Sequence, residues 1–325
     1  MDFFTNKRVL VTGAGGFIGS HLVEELVKRG AIVKAFIRYT SRGDIGLLRY
    51  LNLIREPEII YGDLRDKWAV FEAVKNVDII FHLGAVISVA YSYVHPEEVI
   101  DVNTRGTLNI LHAVKEYKTE NVVYVSTSEV FGNPRYVPID EDHPKRAQSP
   151  YAASKIAADE IVRSFNLSYG MNIKTVRPFN TYGPGQSLRA VIPWIIYQAL
   201  NQDVVYLGNI HTKRDFTYVT DTVKGILMMA ERGPDGGELN LGTGTSFSIR
   251  EIVEMVSEIV GKNLKIIEKG ERKRPKDSDI VELVSSNKKA RELLGWEPEI
   301  DFREGLKLTI EWMDLHKDLY EREII

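Results

Sequence analysis

The sequence predicts an α/β protein in which a doubly wound parallel sheet is followed by a smaller C-terminal lobe. Three observations carry this. Short β-branched runs alternate with longer amphipathic ones in the first half, a glycine-rich turn joins the first strand to the first helix, and the rhythm breaks after Arg177. Strands and helices in alternation mean a parallel sheet with helices on both faces. The predicted strands are Arg8 to Thr12, Ile32 to Ile37, Glu58 to Tyr61, Asp78 to His82, Asn121 to Ser126 and Asn172 to Arg177. Predicted helices run from Gly19 to Arg29, Lys67 to Lys75, Thr104 to Tyr117 and Pro150 to Tyr169. Beyond Arg177 the chain passes through Gly, Pro and polar segments, RPFNTYGPGQS and GNIHTKRDFTYV, before a helical stretch from Ser248 to Val260. Residues 1–177 are therefore expected to form the sheet domain and 178–325 a smaller lobe built around loops, with the possibility that some of its segments return to the sheet.

Composition narrows the function. The 325 residues carry 42 Lys and Arg against 45 Asp and Glu, a formal net charge of -3, which argues against a nucleic-acid partner. With 44% hydrophobic and 27% charged residues, the chain has the composition of a globular protein rather than a disordered one. No apolar run approaches the roughly 18 residues of a membrane helix, and the chain enters its first strand without a signal peptide, so no membrane association and a cytoplasmic location are expected. The absence of cysteine excludes disulfides, thiolate catalysis and Cys-ligated metals. The seven His are scattered from His21 to His316 without an HExxH pair, so no metal site is expected.

The strand VLVTG runs directly into Gly13-Ala14-Gly15-Gly16-Phe17-Ile18-Gly19 and a helix. In such a turn Gly13 permits the reversal, Gly16 lets the backbone approach a pyrophosphate and Gly19 lets the helix pack on the strand. The opening helical turn, with Phe17 and Ile18, supplies N–H donors and the positive end of the helix dipole. The GxxGxxG spacing resembles that of the short-chain dehydrogenase/reductase superfamily. An NAD site should carry an acid at the end of the second strand to hold the ribose 2′-hydroxyl. This chain has Ile37-Arg38-Tyr39-Thr40-Ser41-Arg42 there, and Arg38 and Arg42 are suited to a 2′-phosphate, so NADP is favoured over NAD. At the end of a later strand, small residues in His82-Leu83-Gly84-Ala85 let the chain pass close to the cofactor. His82 by itself reads as a packed core histidine.

Tyr151 and Lys155 open a helix after Pro150, at i and i+4 on one face. A neighbouring ammonium favours a tyrosine phenolate. The strand NVVYVS presents Thr127, Ser128 and Glu129 at its end. A hydroxyl and a Tyr–Lys pair beside a nicotinamide can remove hydride from a secondary alcohol.

Taken in order, TGAGGFIG, FHLGA, Asn103-Thr104-Arg105-Gly106-Thr107, STSEVFG, YAASK, RPFNTYGPGQ and LGWEPEIDFREGL resemble the extended short-chain dehydrogenase/reductase family of sugar-nucleotide epimerases and dehydratases, over nearly the whole chain. The resemblance implies a Rossmann-type sheet domain and a sugar-nucleotide-binding lobe. It also implies that Asp63 and Leu64 lie at the adenine, that Leu83, Gly84, Ala85, Asn103, Tyr151 and Lys155 lie along the cofactor, and that Asn180 holds the substrate pyrophosphate. In the same way Arg214 and Arg274 reach phosphate or ribose, and Arg189, Ala190 and Val191 lie by the nucleotide base. Helices Thr104 to Tyr117 and Tyr151 to Tyr169 correspond to those that pair across a homodimer in this family, although the same chain could also cover their apolar faces.

Epimerases and dehydratases share oxidation at sugar carbon 4, with Tyr151 as base, Lys155 as its electrostatic partner and Thr127 orienting the hydroxyl. A 4,6-dehydratase then needs a carboxylate to take the carbon 5 proton, and Glu129 resembles that base. Ser128 stands where many dehydratases have an Asp as acid. Thr-Ser-Glu resembles GDP-mannose 4,6-dehydratases, the UDP-N-acetylglucosamine dehydratases of the legionaminic acid type, to which the wider sequence is most similar, and also UDP-glucuronate decarboxylases. The expected activity is therefore 4,6-dehydration of a UDP-sugar such as UDP-N-acetylglucosamine, in cell-surface glycan synthesis. UDP-sugar 4-epimerisation ranks second and decarboxylation third. An NADP-sensing or scaffold protein is the non-enzyme alternative.

Overall fold

The computed structural model describes residues 2–51, 53–269 and 280–321. Six strands, β1 (Arg8–Thr12), β2 (Ile32–Arg38), β3 (Glu58–Gly62), β4 (Ile79–His82), β5 (Asn121–Val125) and β6 (Ile173–Pro178), alternate with helices α1 (Phe17–Lys28), α2 (Lys67–Val74), α3 (Val89–Val94), α4 (Pro96–Ile100), α5 (Gly106–Tyr117) and α6 (Pro150–Tyr169). The remainder comprises β7 (Asn180–Tyr182), α7 (Val191–Asn201), β8 (Val204–Leu207), β9 (Lys213–Tyr218), α8 (Val219–Arg232), β10 (Glu238–Leu241), β11 (Ser246–Ser248), α9 (Ile249–Val260), β12 (Lys265–Glu268), β13 (Glu282–Leu283), α10 (Lys288–Leu294), α11 (Phe302–Leu315) and α12 (Lys317–Glu321).

The main sheet has seven parallel strands in the order β10-β6-β5-β4-β1-β2-β3. Side chains alternate across it, as the two-residue period of a strand requires. Val9, Val11, Phe81 and Val123 face one layer with Leu22, Leu26 and Ile226 of α1 and α8. Leu10, Ile80, Val122 and Tyr124 face the other with Val70, Ile110, Val114 and Val162 of α2, α5 and α6. Because β1 and β4 are neighbours, the chain turns away from them in opposite directions. The crevice beyond their carboxyl ends is the ligand position expected of an open α/β sheet.

The lobe is richer in regular structure than its loop-like composition predicts. It contains a four-stranded sheet, β11-β9-β13 with β7 on β9, and the pair β12-β8, with helices among them. Helix α7 escapes sequence reading because Pro193 stands near its start, where a missing N–H costs nothing. Helix α8 escapes it because it opens on the β-branched Val219 and Thr220. Strand β10 returns to the main sheet beside β6. Two boundaries also shift: α1 starts at Phe17, and α5 starts at Gly106 after a π-helical turn over Asp101–Arg105. Among the described residues no helix is long and apolar enough to cross a membrane.

A buried charge cluster ties the sheet to α6. Arg177 of β6 is fully buried; its Nε and Nη2 donate to Asp159 Oδ2 at 3.1 and 2.8 Å, and Nη2 also reaches Glu238 Oε2 at 2.7 Å. Lys145 Nζ lies 3.1 Å from Asp159 Oδ2, and Ser126 Oγ donates to Oδ1 at 2.5 Å. Burial alone would push the Asp159 carboxyl upward, but Arg177, Lys145 and Ser126 together hold it below its ordinary value. Removing one partner of a buried pair leaves the other charge uncompensated, at about 3–5 kcal/mol. Asp159→Asn is expected to lower the unfolding free energy by about that amount, read as a shift of the denaturant midpoint at constant slope. A carboxyl held low when folded stabilises above its unfolded pKa and loses that contribution as pH falls through its folded pKa. Wild type should therefore lose this increment on acidification and the Asn variant should not. A loss below about 1 kcal/mol, the scale of a surface pair, would contradict the role given to the cluster.

Candidate active site

The crevice is built on a close approach of two turns. Gly13 has φ +71°, and a Cβ there would stand 3.0 Å from the backbone of Gly84. A Cβ on Gly19 would fall 2.2 Å from the Gly13 carbonyl oxygen, so only glycine lets α1 begin against this turn. Gly16 is the N-cap; no side chain caps α1, and no acid stands in its first turn. The N–H groups of Phe17, Ile18 and Gly19 lie ahead of any intrahelical acceptor, and this uncapped, glycine-lined cradle fits an anionic pyrophosphate.

A hydrogen-bonded chain locks the two turns. Gly84 N–H donates to Thr12 Oγ1 at 3.0 Å, Thr12 Oγ1 lies 2.8 Å from His82 Nδ1, and His82 Nε2 lies 3.1 Å from Thr107 Oγ1, which donates to the Asn103 carbonyl at 2.6 Å. Since the Thr107 hydroxyl proton is committed to Asn103, the consistent arrangement has Nε2 donating and Nδ1 accepting from Thr12. Burial, followed by the Lys155 charge, lowers His82 to about 3, so it stays neutral as a packed core residue. The Asn103 side chain accepts from Val86 N–H at 2.7 Å and donates to the Val86 carbonyl at 3.0 Å and to Ser154 Oγ at 2.9 Å. From the π-helical turn ahead of α5 it thus ties the loop after β4 to α6. Leu64 is buried against Gly84 and Gly106, and its carbonyl accepts from Asn109. Leu83 packs on the core, and Ala85 is half-buried beside it.

Arg38 ends β2 with its side chain 68% exposed and its Nη2 3.7 Å from Glu98. Arg42 lies in an exposed turn held by Tyr61, whose hydroxyl donates to the Gly43 carbonyl at 2.9 Å. Asp63 is engaged by Arg65 at 2.9 and 2.6 Å, and that hydrogen bond holds its carboxyl below the usual range.

Tyr151 and Lys155 are both buried, one turn apart on α6, whose N-cap Ser149 accepts from Ala152 N–H. Lys155 Nζ donates to the Val125 carbonyl at 2.9 Å and lies 4.5 Å from the Tyr124 ring centroid. Burial pulls its ammonium down to about 8 against the opposing charge of Asp159. The Tyr151 phenol is pushed well above its ordinary value, first by burial and then by the negative charges of Glu129 and Asp159, while a hydrogen bond with Thr127 pulls the other way. Thr127 caps the short helical turn Ser128–Phe131, accepting from Glu129 N–H at 3.3 Å. Ser128 is buried and Glu129 half-buried. The structure therefore brings a hydroxyl, a carboxylate, a phenol and an ammonium together at the end of β5 and the start of α6. Such a group can take a proton from an alcohol and, at a second point, from carbon.

In the lobe, Asn180 Nδ2 donates to the Asp215 carbonyl at 3.2 Å, and Arg214 is buried in β9 with Nη1 donating to the Lys213 carbonyl at 2.8 Å. Arg189 is exposed ahead of Ala190, the N-cap of α7, and Val191 opens that helix. Arg274 lies outside the described residues. Sequence reasoning missed Asp215, whose buried carboxylate accepts from Thr243 N–H and Oγ1, Gly244 N–H and Ser285 N–H at 2.8, 2.7, 2.9 and 3.0 Å. It joins three segments of the lobe beside Arg214; the Arg-Asp pair in TKRDFTYV was its only sequence signal.

The family model for GDP-mannose 4,6 dehydratase matches residues 10–309. UDP-glucuronic acid decarboxylase 6 of Arabidopsis thaliana is 33% identical over 322 residues, covering 95% of this chain and 89% of its own. The dTDP-glucose 4,6-dehydratase of Streptomyces venezuelae, solved with NAD bound, superposes with a TM-score of 0.89 at 26% identity, covering 97% of this chain and 99% of its own. The UDP-N-acetylglucosamine 4-epimerase of Methanobrevibacter ruminantium, solved with UDP-N-acetylmuramic acid, does so with 0.86 at 31% identity, covering 96% and 99%. With the glycine cradle at the β1–β4 switch point and the Tyr–Lys pair beside it, these matches show that the chain belongs to the GDP-mannose 4,6-dehydratase family and is a nicotinamide-dinucleotide-dependent enzyme of the sugar-nucleotide dehydratase and epimerase kind.

Proposed function

We propose that the chain is a 4,6-dehydratase of a UDP-sugar such as UDP-N-acetylglucosamine, with NADP as cofactor. The observation that carries the reading is Glu129: a carboxylate held on the turn after β5, close enough to Tyr151 for its charge to raise the phenol. An epimerase needs no such base, because the ketosugar only rotates before the hydride returns. A nicotinamide bound along the Gly13 and Gly84 turns supplies the acceptor for the carbon 4 hydride and its return to carbon 6. Tyr151 takes the carbon 4 hydroxyl proton, Lys155 stabilises the phenolate that accepts it, and Thr127 orients the hydroxyl. Glu129 then takes the acidified carbon 5 proton and hands it to the departing carbon 6 hydroxyl, which leaves as water. Carbon 5 is reprotonated from solvent. Ser128, the first residue of this turn, is buried and carries no carboxyl where many dehydratases have the Asp acid, so Glu129 is assigned both roles, base and acid.

Asn180, Arg189, Ala190, Val191, Arg214 and Arg274 are assigned to the nucleotide and its pyrophosphate, in keeping with the cationic partners that two phosphates need. Arg38 and Arg42 are assigned to the 2′-phosphate of NADP, since no acid ends β2; tighter binding of NAD than NADP, unaffected by Arg38→Ala, would remove this part of the reading. The protein is read as a cytoplasmic homodimer paired through α5 and α6. The similarity to a 4-epimerase favours epimerisation as the second reading.

Two outcomes test the chemistry. In heavy water the wild-type product should carry one deuterium at carbon 5, and Glu129→Gln, nearly isosteric but no base, should lose both water release and this label by about 10²–10⁴-fold in rate. Near-normal turnover of Glu129→Gln without a carbon 5 label would overturn dehydration in favour of epimerisation. The second concerns Lys155. Its ammonium, at about 8 through burial, loses its charge as pH rises past that value and with it the support of the phenolate. The value of kcat/KM should therefore fall above about pH 8, and Lys155→Arg, whatever its absolute rate, should lack this limb because a guanidinium stays charged. An unchanged alkaline limb in Lys155→Arg would show that another group titrates.

A further inference from the structure

The end of β2 faces an opposing charge that the mechanism does not use. Glu98 of α4 places Oε1 3.7 Å from Arg38 Nη2, and its Oε2 accepts a 2.5 Å hydrogen bond from the Tyr91 hydroxyl. The Glu98 side chain is only 25% exposed. Tyr91 in turn packs against the His95 ring, tilted 34° with ring centroids 4.4 Å apart. The Tyr91 hydrogen bond, and then the charges of Arg38, Arg65 and His95, hold the Glu98 carboxyl below its ordinary range, so it is an anion at neutral pH. Arg65 is committed to Asp63 by two hydrogen bonds. Arg38 is therefore already facing an anion, one positioned by a third residue.

We infer that Glu98 is a cofactor-specificity residue: it occupies Arg38 as an internal counter-anion, so a 2′-phosphate gains Arg38 only by displacing it. The inference rests on Arg38 facing the adenosine ribose, as the NADP reading places it, but not on NADP being preferred. A 2′-phosphate and Glu98 compete for one guanidinium and repel each other, whereas the free ribose hydroxyl of NAD meets no such penalty. The balance between Arg38 and Glu98 then sets how strongly the chain separates the two dinucleotides. Tyr91 acts through Glu98 as a positioning residue.

The test is calorimetric binding, at one ionic strength, of 2′,5′-ADP against 5′-AMP and of NADP against NAD. It compares wild type, Glu98→Gln, Arg38→Ala and the double variant. Glu98→Gln should tighten 2′,5′-ADP and NADP by about twofold to fivefold, the scale of a partly exposed charge pair, and leave 5′-AMP and NAD unchanged. The gain should vanish in the Arg38→Ala background, and Tyr91→Phe, which only loosens Glu98, should give part of it. An unchanged preference in Glu98→Gln, an equal gain without Arg38, or selective weakening of NAD would each overturn the inference. If wild type prefers NAD while Glu98→Gln still shifts the ratio through Arg38, the inference stands and the NADP reading falls.

Discussion

The ion pair between Asp159 and Arg177 is the interaction on which the geometry of the site depends. It joins α6 to β6, and through Ser126 Oγ and Glu238 it reaches the end of β5 and the edge strand β10. Tyr151 and Lys155 sit on the same helix as Asp159, two turns and one turn earlier, while Thr127 and Glu129 follow Ser126 by one and three residues. The two halves of the chemistry are thus held in register by one buried contact behind them. An apolar contact of the same volume would pack as well, but without the directional hydrogen bonds that orient Ser126. The charge also acts at a distance: Asp159 opposes the loss of the Lys155 proton and raises the Tyr151 phenol.

Lys155 is consequently balanced between desolvation and a nearby carboxylate. Tyr151 faces the harder environment, buried and close to two negative charges, with Thr127 as its hydrogen-bond partner. Such a phenol is held protonated until further positive charge arrives, which would tie its activation to occupation of the crevice. At the other end of the crevice the charges are arranged in opposed pairs, Arg38 with Glu98 and Arg65 with Asp63. The proposed binding of a 2′-phosphate at Arg38 would therefore exchange one partner for another.

Much of this was legible in the sequence because it depends on local rules. The six early strands are apolar runs, the glycine turn follows its strand without a gap, and the Tyr–Lys spacing places both side chains on one helical face. What was not legible depends on contacts between distant segments. Nothing near Asp159 marks it as the partner of Arg177, which lies beyond the end of its helix in another layer. The π-helical turn that holds Asn103 against Val86 and Ser154 leaves no periodicity of its own, and Glu98 sits in an ordinary acidic helix start. Strand β10 lies in a stretch of the lobe to which sequence reading assigns no strand, and its place is fixed by its pairing with β6 across more than sixty residues. Arg274, which the family resemblance places at phosphate or ribose, lies outside the described residues.

The central claim is that Glu129 turns a shared carbon 4 oxidation toward loss of water. Its most direct measurement is the mass of the product formed by the wild-type enzyme from a panel of UDP, GDP and dTDP sugars. The account predicts a product lighter than its substrate by one water for at least one UDP-sugar. A product of unchanged mass from every nucleotide sugar accepted, or one lighter by carbon dioxide, would contradict it.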